Sequence, residues 1–251
     1  MFVRKSQYQE YVYLKDIGYN IVSIPTSIQE VGKTRKYITY WCDKHHYDWF
    51  FMFDDDISKI ELLAEKPDGG WNSKRILEGS KTPPRFEIEA LKLWYTLARK
   101  YNLSSSSPNH RAYDRFSHGP NIRINKSAVI QCFLLKTKDV ISVGNFRDTR
   151  IYGVEDYDLQ YRLMKYGYRT GKIGLVEFDA PAIGNISDGT SDTFLEKYKR
   201  FVDCFLNNVC NDPELIGIKQ TSTKVPSIQF KWKNWDGEEI KLEEDEYVNY
   251  S

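Results

Sequence analysis

Asp54, Asp55 and Asp56 follow directly on Trp49-Phe50-Phe51-Met52-Phe53, so an apolar run leads straight into three adjacent carboxylates. Like charges repel, and the cost grows as water is excluded. Either the triplet is a solvated turn with capping aspartates, or a cation belongs there. Asp54 and Asp56, one residue apart, can point to a common site while Asp55 faces elsewhere. Hard oxygen ligands of this kind suit Mg²⁺ or Mn²⁺, which complete their shells with water and substrate phosphates.

A second constellation lies in Gly153-Val154-Glu155-Asp156-Tyr157-Asp158. Leu159, Leu163 and Tyr166 recur at i, i+4 and i+7, which predicts a helix with that face toward a core and a stop at Gly167. Glu155 and Asp156 then occupy the first turn. There they either favour the helix dipole as caps, or do chemistry, with Asp156 taking a proton while Glu155 orients a hydroxyl. Asp158 and Arg162 are spaced to pair at i, i+4.

Other features carry less chemistry. Arg111, Arg115, His118, Arg123 and Lys126 are interleaved with Tyr113 and Phe116. Cations among aromatics suit a phosphate backbone with stacked bases, and equally a solvated loop. His45 and His46 read as surface residues. Trp232 and Trp235 could stack on a sugar or base, but packing of the tail is the simpler expectation. The four cysteines, Cys42, Cys132, Cys204 and Cys210, form no C-x-x-C pair, so neither a zinc site nor a disulfide framework is indicated.

These residues must be positioned by an alternation of strands and helices. Phe2-Val3, "YNIVSIP" and "DWFFMF" read as strands separated by helices over "SQYQEYVYLKDIG" and "TSIQEVGKTRKYITYWCDKHH". This predicts an α/β fold with a mostly parallel sheet flanked by helices, and the unbroken hydrophobicity of "DWFFMF" suggests a strand covered on both faces. Further on, "RFEIEALKLWYTLARKYN", with Ile88, Leu91, Leu97 and Leu93 or Trp94 inward, reads as a helix, "AVIQCFLL" as a strand, and "DTFLEKYKRFVDCFLNNV" as a long amphipathic helix. "KPDGGWNSKRILEGSKTPP" is turn-rich, and "LSSSSPNHRAYDRFSHGPN" is polar, basic and punctuated by Pro and Gly. The tail from Asn211 holds one short strand, "SIQFKW", and an acidic end. The expected organisation is one domain over 1–210 and an extension over 211–251 packed on it.

At 251 residues, 41% hydrophobic and 28% charged, the chain has the composition of a folded globule rather than of a disordered segment. No apolar run approaches the roughly 20 residues that span a bilayer, and no signal peptide opens the sequence, so a cytoplasmic location is expected. A net charge of +1 neither demands nor excludes nucleic acid.

An apolar strand ending in D-x-D, followed about a hundred residues later by G-x-E-D-x-D at a helix start, resembles the GT-A class of nucleotide-sugar glycosyltransferases. "TRKYI" before "FMFDDDI" is most similar to the TET-associated glycosyltransferases of phages, which modify hydroxymethylated DNA bases. The resemblance implies a GT-A-like (Rossmann-like) fold and a divalent cation, Mn²⁺ or Mg²⁺, bridging the phosphates of a nucleotide-sugar donor, with a UDP-sugar favoured. It implies donor contacts from Arg4, Arg35, Asp54 and Asp55, and metal contacts from Asp54 and Asp56. Asp156 would be the base, with Glu155, Asp158, Arg115 and Arg123 toward the acceptor. Two departures stand out. The first strand is very short, and no histidine follows Asp158 as a third ligand. Asp188 is taken for that place, with Asp179, Asn185 or a water as alternatives. Two rivals stay open: a glycosyltransferase acting on a glycan, lipid carrier or small molecule, and a non-enzymatic module that keeps the fold.

Overall fold

The computed structural model describes residues 1–16, 18, 20–28, 30–54, 57–74, 87–111, 118–147, 155–180, 212–220 and 226–250. Strands β1 (Phe2–Arg4) and β2 (Val22–Ile24) pair in parallel as a separate two-stranded sheet. Between them, Lys5–Lys15 is helical but broken into a short α-turn flanked by 3-10 turns, and it buries none of its residues. Helix α1 (Val31–Lys44) leads to β3 (Trp49–Phe53), and then β4 (Lys59–Glu65) and β5 (Trp71–Ser73) form a hairpin. Helix α2 (Ile88–Lys100), β6 (Leu103–His110), β7 (Asn121–Ile124), β8 (Cys132–Lys136) and the short α3 (Thr137–Ser142) follow. Helix α4 (Glu155–Lys165) and the long β9 (Arg169–Asp179) complete the main body. The C-terminal segment adds β10 (Ile216–Gln220), β11 (Pro226–Phe230) and β12 (Glu238–Lys241).

The fold is α/β, with a mixed, largely antiparallel central sheet in place of the mostly parallel one expected. Its strand order is β12-β7-β9-β6-β8-β3, with β4 also lying along β9. Among its described strands, β6 and β9 pair in parallel, and β3–β8, β6–β8, β7–β9, β4–β9 and β12–β7 are antiparallel. The expectation failed at β3, which ends the strand path and pairs with the antiparallel β8. Four of its five residues are only half-buried, as suits an outer strand rather than one sealed on both faces. Because β8 is antiparallel to both β3 and β6, the strands β3, β6 and β9 point the same way. Their carboxyl ends, at Asp54, Arg111 and Asp179, therefore share one edge.

Strand alternation sends side chains to two apolar layers. Leu134 and Cys132 of β8 join Phe51 and Phe53 of β3 and Leu93, Trp94 and Leu97 of α2 on one face. Phe133 and Leu135 join Met52, Val140, Phe146, Leu159 and Leu163 on the other, beneath α3 and α4. Ile88 and Tyr166, which the periodicities turn inward, are instead 62% and 71% exposed. They sit at the first residue of α2 and just beyond α4, where the helical stripe leaves the core.

The least expected element is β6. Leu103-Ser-Ser-Ser-Ser-Pro-Asn-His, polar enough to read as a loop, is a central strand with all eight residues buried. Small side chains let layers approach on both sides, and two of the hydroxyls are used: Trp94 Nε1 donates to Ser106 Oγ at 2.8 Å, and Ser104 Oγ donates to Asp139 Oδ2 at 2.6 Å. Pro108 is tolerated where the β6–β9 register shifts. The C-terminal segment is tied in three ways. Strand β12 extends the central sheet at β7, and Tyr161 and Met164 of α4 pack on Ile216, Ile228 and Phe230 with Trp232 and Trp235 half-buried beside them. Glu246 accepts from Lys100 and Tyr101.

Candidate active site

The first site residue is placed by α1. Gly32 lets this helix approach the segment after α3 closely, since a Cβ there would stand 2.7 Å from the carbonyl oxygen of Arg147. Asn145, buried with φ +61°, donates to the carbonyl of Lys36 and accepts from the Phe146 amide, fixing the same contact. Arg35, one turn into α1, is thereby driven inward and is 6% exposed, with its guanidinium over the rings of Phe133 and Phe146 at 5.2 and 5.8 Å.

A buried guanidinium requires partners. Arg35 Nη2 donates to Asp54 Oδ1 at 2.5 Å, and Nη1 lies 2.8 Å from Glu155 Oε1. The two acidic motifs, a hundred residues apart in sequence, thus meet on one cation. Asp54 directly follows β3, with its amide donating to the Gln131 carbonyl, and its side chain is 29% exposed. Glu155 and the partly buried Asp156 open α4, and Asp156 Oδ1 accepts from the Tyr157 amide at 2.8 Å.

Electrostatics divides these groups. Burial opposes the Arg35 charge, but Asp54, Glu155 and Asp156 outweigh it and hold the guanidinium above its ordinary value. Burial and then the neighbouring Glu155 carboxylate push Asp156 up to about 7, against the opposing pull of Arg35 and the Tyr157 amide. A carboxyl near neutrality is matched to proton transfer at physiological pH. Burial, helped by Asp54, pushes the adjacent Cys132 thiol well up, so it is no nucleophile.

The other expected site residues lie elsewhere. Asp158 is fully buried, with Oδ2 held by Arg162 Nε and Nη2 at 3.0 and 2.5 Å and Oδ1 3.7 Å from Arg147. It ties the helix to the core and is closed to an acceptor. Arg123, half-buried on β7, donates to Asn109 at 3.0 Å. Arg4 is exposed on β1. Asp55, Asp56, Arg115, Asn185 and Asp188, and the helix expected over 192–209, lie outside the described residues. Asp179 is at the carboxyl end of β9, 3.9 Å from Arg111.

A further ionic cluster joins β4 and β9. Glu61 on β4 and Glu177 on β9 stand directly opposite each other, both buried, an arrangement that destabilises unless neutralised. Lys59 answers them, 2.6 Å from Glu61 and 3.6 Å from Glu177, and His118 Nε2 lies 3.5 Å from Glu177. Desolvation raises the Glu177 carboxyl despite Lys59 and Arg111. The signal was present as K-x-E at 59–61 and E-x-D at 177–179, whose period of two places the charges on one face.

As a metal position, Asp54 fits in kind. It is a half-exposed hard-oxygen ligand at a strand end, and its Oδ2 takes no hydrogen bond from the described residues. Among the described residues no three His, Cys, Asp or Glu side chains gather to hold a metal, and no helix is long and apolar enough to cross a membrane. No family model matches the chain, and no curated protein matches it.

Proposed function

We propose that the chain is a metal-dependent glycosyltransferase of GT-A-like design, moving a sugar from a nucleotide-sugar donor to a hydroxyl acceptor. The observation that carries this reading is the meeting of Asp54, Glu155 and Asp156 around Arg35, with Asp156 raised to about 7. The shared edge of β3, β6 and β9 supports it too, since ligands of α/β sheets collect at strand carboxyl ends.

Asp54 would hold a divalent ion through Oδ2, with Asp56 and Asp188 as the further ligands that the resemblance implies. When bound, Mn²⁺ or Mg²⁺ neutralises charge on the departing nucleoside diphosphate. Asp156 takes the proton of the acceptor hydroxyl as its oxygen attacks the anomeric carbon, and its raised pKa makes it a better base than an ordinary aspartate. Glu155, fixed by Arg35, orients that hydroxyl. Phe133 and Phe146 exclude water from one side of the guanidinium.

The narrower proposal is that the acceptor is the hydroxymethyl group of a modified pyrimidine in DNA. A small-molecule or glycan acceptor is favoured by one observation: Arg111 and His118 face Glu177 and Asp179, and Arg123 faces Asn109, so these side chains are turned toward the protein. The test is a thermal-shift panel of nucleotide sugars with and without Mn²⁺, followed by donor hydrolysis. A Mn²⁺-dependent rise with at least one donor, and release of its nucleoside diphosphate, is expected. No shift and no release with any donor would leave a binding module.

A further inference from the structure

Arg35 is the cation that both halves of the site share, and it leaves little of itself for a ligand. One terminal nitrogen is bonded to Asp54, the other faces Glu155, and the group is roofed by Phe133 and Phe146. Glu155 is as buried as Arg35, whereas Asp54 is half open, with its Oδ1 taken. A divalent ion on Asp54 Oδ2 would therefore sit one carboxylate away from a buried positive charge. At that separation, in surroundings less polar than water, two cations repel strongly.

We propose that Arg35 is a positioning residue and built-in counter-ion: it holds Asp54 and Glu155 together and weakens a divalent cation at Asp54 until a nucleoside diphosphate brings the negative charge that accommodates both. The competition follows from Arg35, Asp54 and Glu155 alone; the identity of the anion rests on the glycosyltransferase reading. Two consequences follow by linkage. The metal alone binds weakly, and metal and diphosphate strengthen each other by the same factor. Glu155 acts in the opposite sense to Arg35 removal, because losing its charge leaves the guanidinium to Asp54 alone.

The experiment is calorimetric titration of the full chain with Mn²⁺, with and without UDP, for the parent, Arg35→Gln, Arg35→Lys and Glu155→Gln, each checked by circular dichroism. Arg35→Gln should bind Mn²⁺ alone about tenfold more tightly, a change in the range typical of site coupling. Arg35→Lys, which keeps the charge, should stay near the parent, and Glu155→Gln should bind more weakly. In the parent, UDP should raise Mn²⁺ affinity about tenfold or more, and by less in Arg35→Gln. A purely structural Arg35 would lower or leave unchanged the Mn²⁺ affinity of folded Arg35→Gln, and that result overturns the proposal. So does a parent that binds UDP but whose Mn²⁺ affinity ignores it, a measurement that needs no variant to fold. Tighter Mn²⁺ in Arg35→Gln without donor turnover in the parent would remove the glycosyltransferase reading and leave the competition. Turnover in the parent with unchanged Mn²⁺ affinity in Arg35→Gln would do the reverse.

Discussion

Replacing Asp156 by Asn separates a base from a cap through the pH dependence of stability. The folded protein holds this carboxyl at about 7, against an ordinary 3.8. Each pKa unit is about 1.4 kcal/mol between the two protonation states, so the ionised side chain costs the folded state at most about 4 kcal/mol. Below about pH 4 the group is protonated in both states and the cost vanishes. Between there and about pH 7 the unfolded chain has lost the proton that the folded one keeps, so stability falls as pH rises; above 7 the full cost is present. Asn is neutral throughout, and its Oδ1 can still accept from the Tyr157 amide. Asp156→Asn should thus be more stable than the parent at pH 8, by about 1–4 kcal/mol or several degrees in Tm, and equal to it near pH 4. Transfer by the parent should rise with pH and level off above about 7, while the variant should lose roughly two to four orders of magnitude. Differential scanning calorimetry at the two pH values and a transfer assay at pH 8 on the same preparation decide it. Loss of stability at pH 8, as for a lost cap, with transfer within a few-fold of the parent, would refute the reasoning.

Other expectations are simpler. Gly32→Ala puts a Cβ 2.7 Å from a backbone oxygen, so α1 must shift; a loss of about 1–3 kcal/mol in a urea melt is expected, with reduced donor affinity because Arg35 moves with the helix. Glu246 is held below its ordinary value because bonds from Lys100, Tyr101 and the Glu243 amide outweigh the opposing burial. Glu246→Gln should cost about 1 kcal/mol near neutrality, discounted because Lys100 is half exposed, and the gap from the parent should close as pH falls through the Glu246 pKa, since that stability is present only while the carboxylate is ionised. If DNA is the acceptor, binding should weaken steeply with salt, and Arg115→Ala with Arg123→Ala should reduce the slope. No DNA affinity at low salt with donor and metal present would favour a small-molecule or glycan acceptor.

The elements that the sequence predicted well are those whose apolar period is strong: α1, α2, α4 and β3 lie within the stretches assigned to them, and β8 starts inside its stretch and runs one residue past it. What failed has a common cause. Strand β6 is chosen by its neighbours and not by its own propensity: its four serines are buried between two packed layers, and Trp94 and Asp139 supply partners for Ser106 and Ser104. Strand direction was equally hidden. An apolar run marks a strand, but neither how fully it is covered nor which way its neighbour runs, so β3 read as parallel although β8 returns against it. Strand β12 escaped notice because Glu238-Glu239-Ile240-Lys241 at a sheet edge needs only one side chain, Ile240, turned to the core.

The site was more legible than the sheet, for a reason of charge. A run of apolar residues ending in carboxylates poses an electrostatic question within the sequence itself, and Glu155-Asp156 poses it again. The structure answers both with one guanidinium, and Arg35 had been singled out only as a donor contact. Its burial alters that assignment. A residue 6% exposed and shared by two carboxylates sets the geometry of what surrounds it before it touches any ligand. Asp158 shows the converse. It belongs to the same acidic motif, but the i, i+4 spacing to Arg162 closes it into the core, so adjacency in sequence to Glu155 and Asp156 did not carry a shared role. Within one helical turn, the partner available to each carboxylate decides how it is held. Asp156, next to a like charge, keeps its proton near neutrality, whereas Asp158, gripped by Arg162, holds the helix in place.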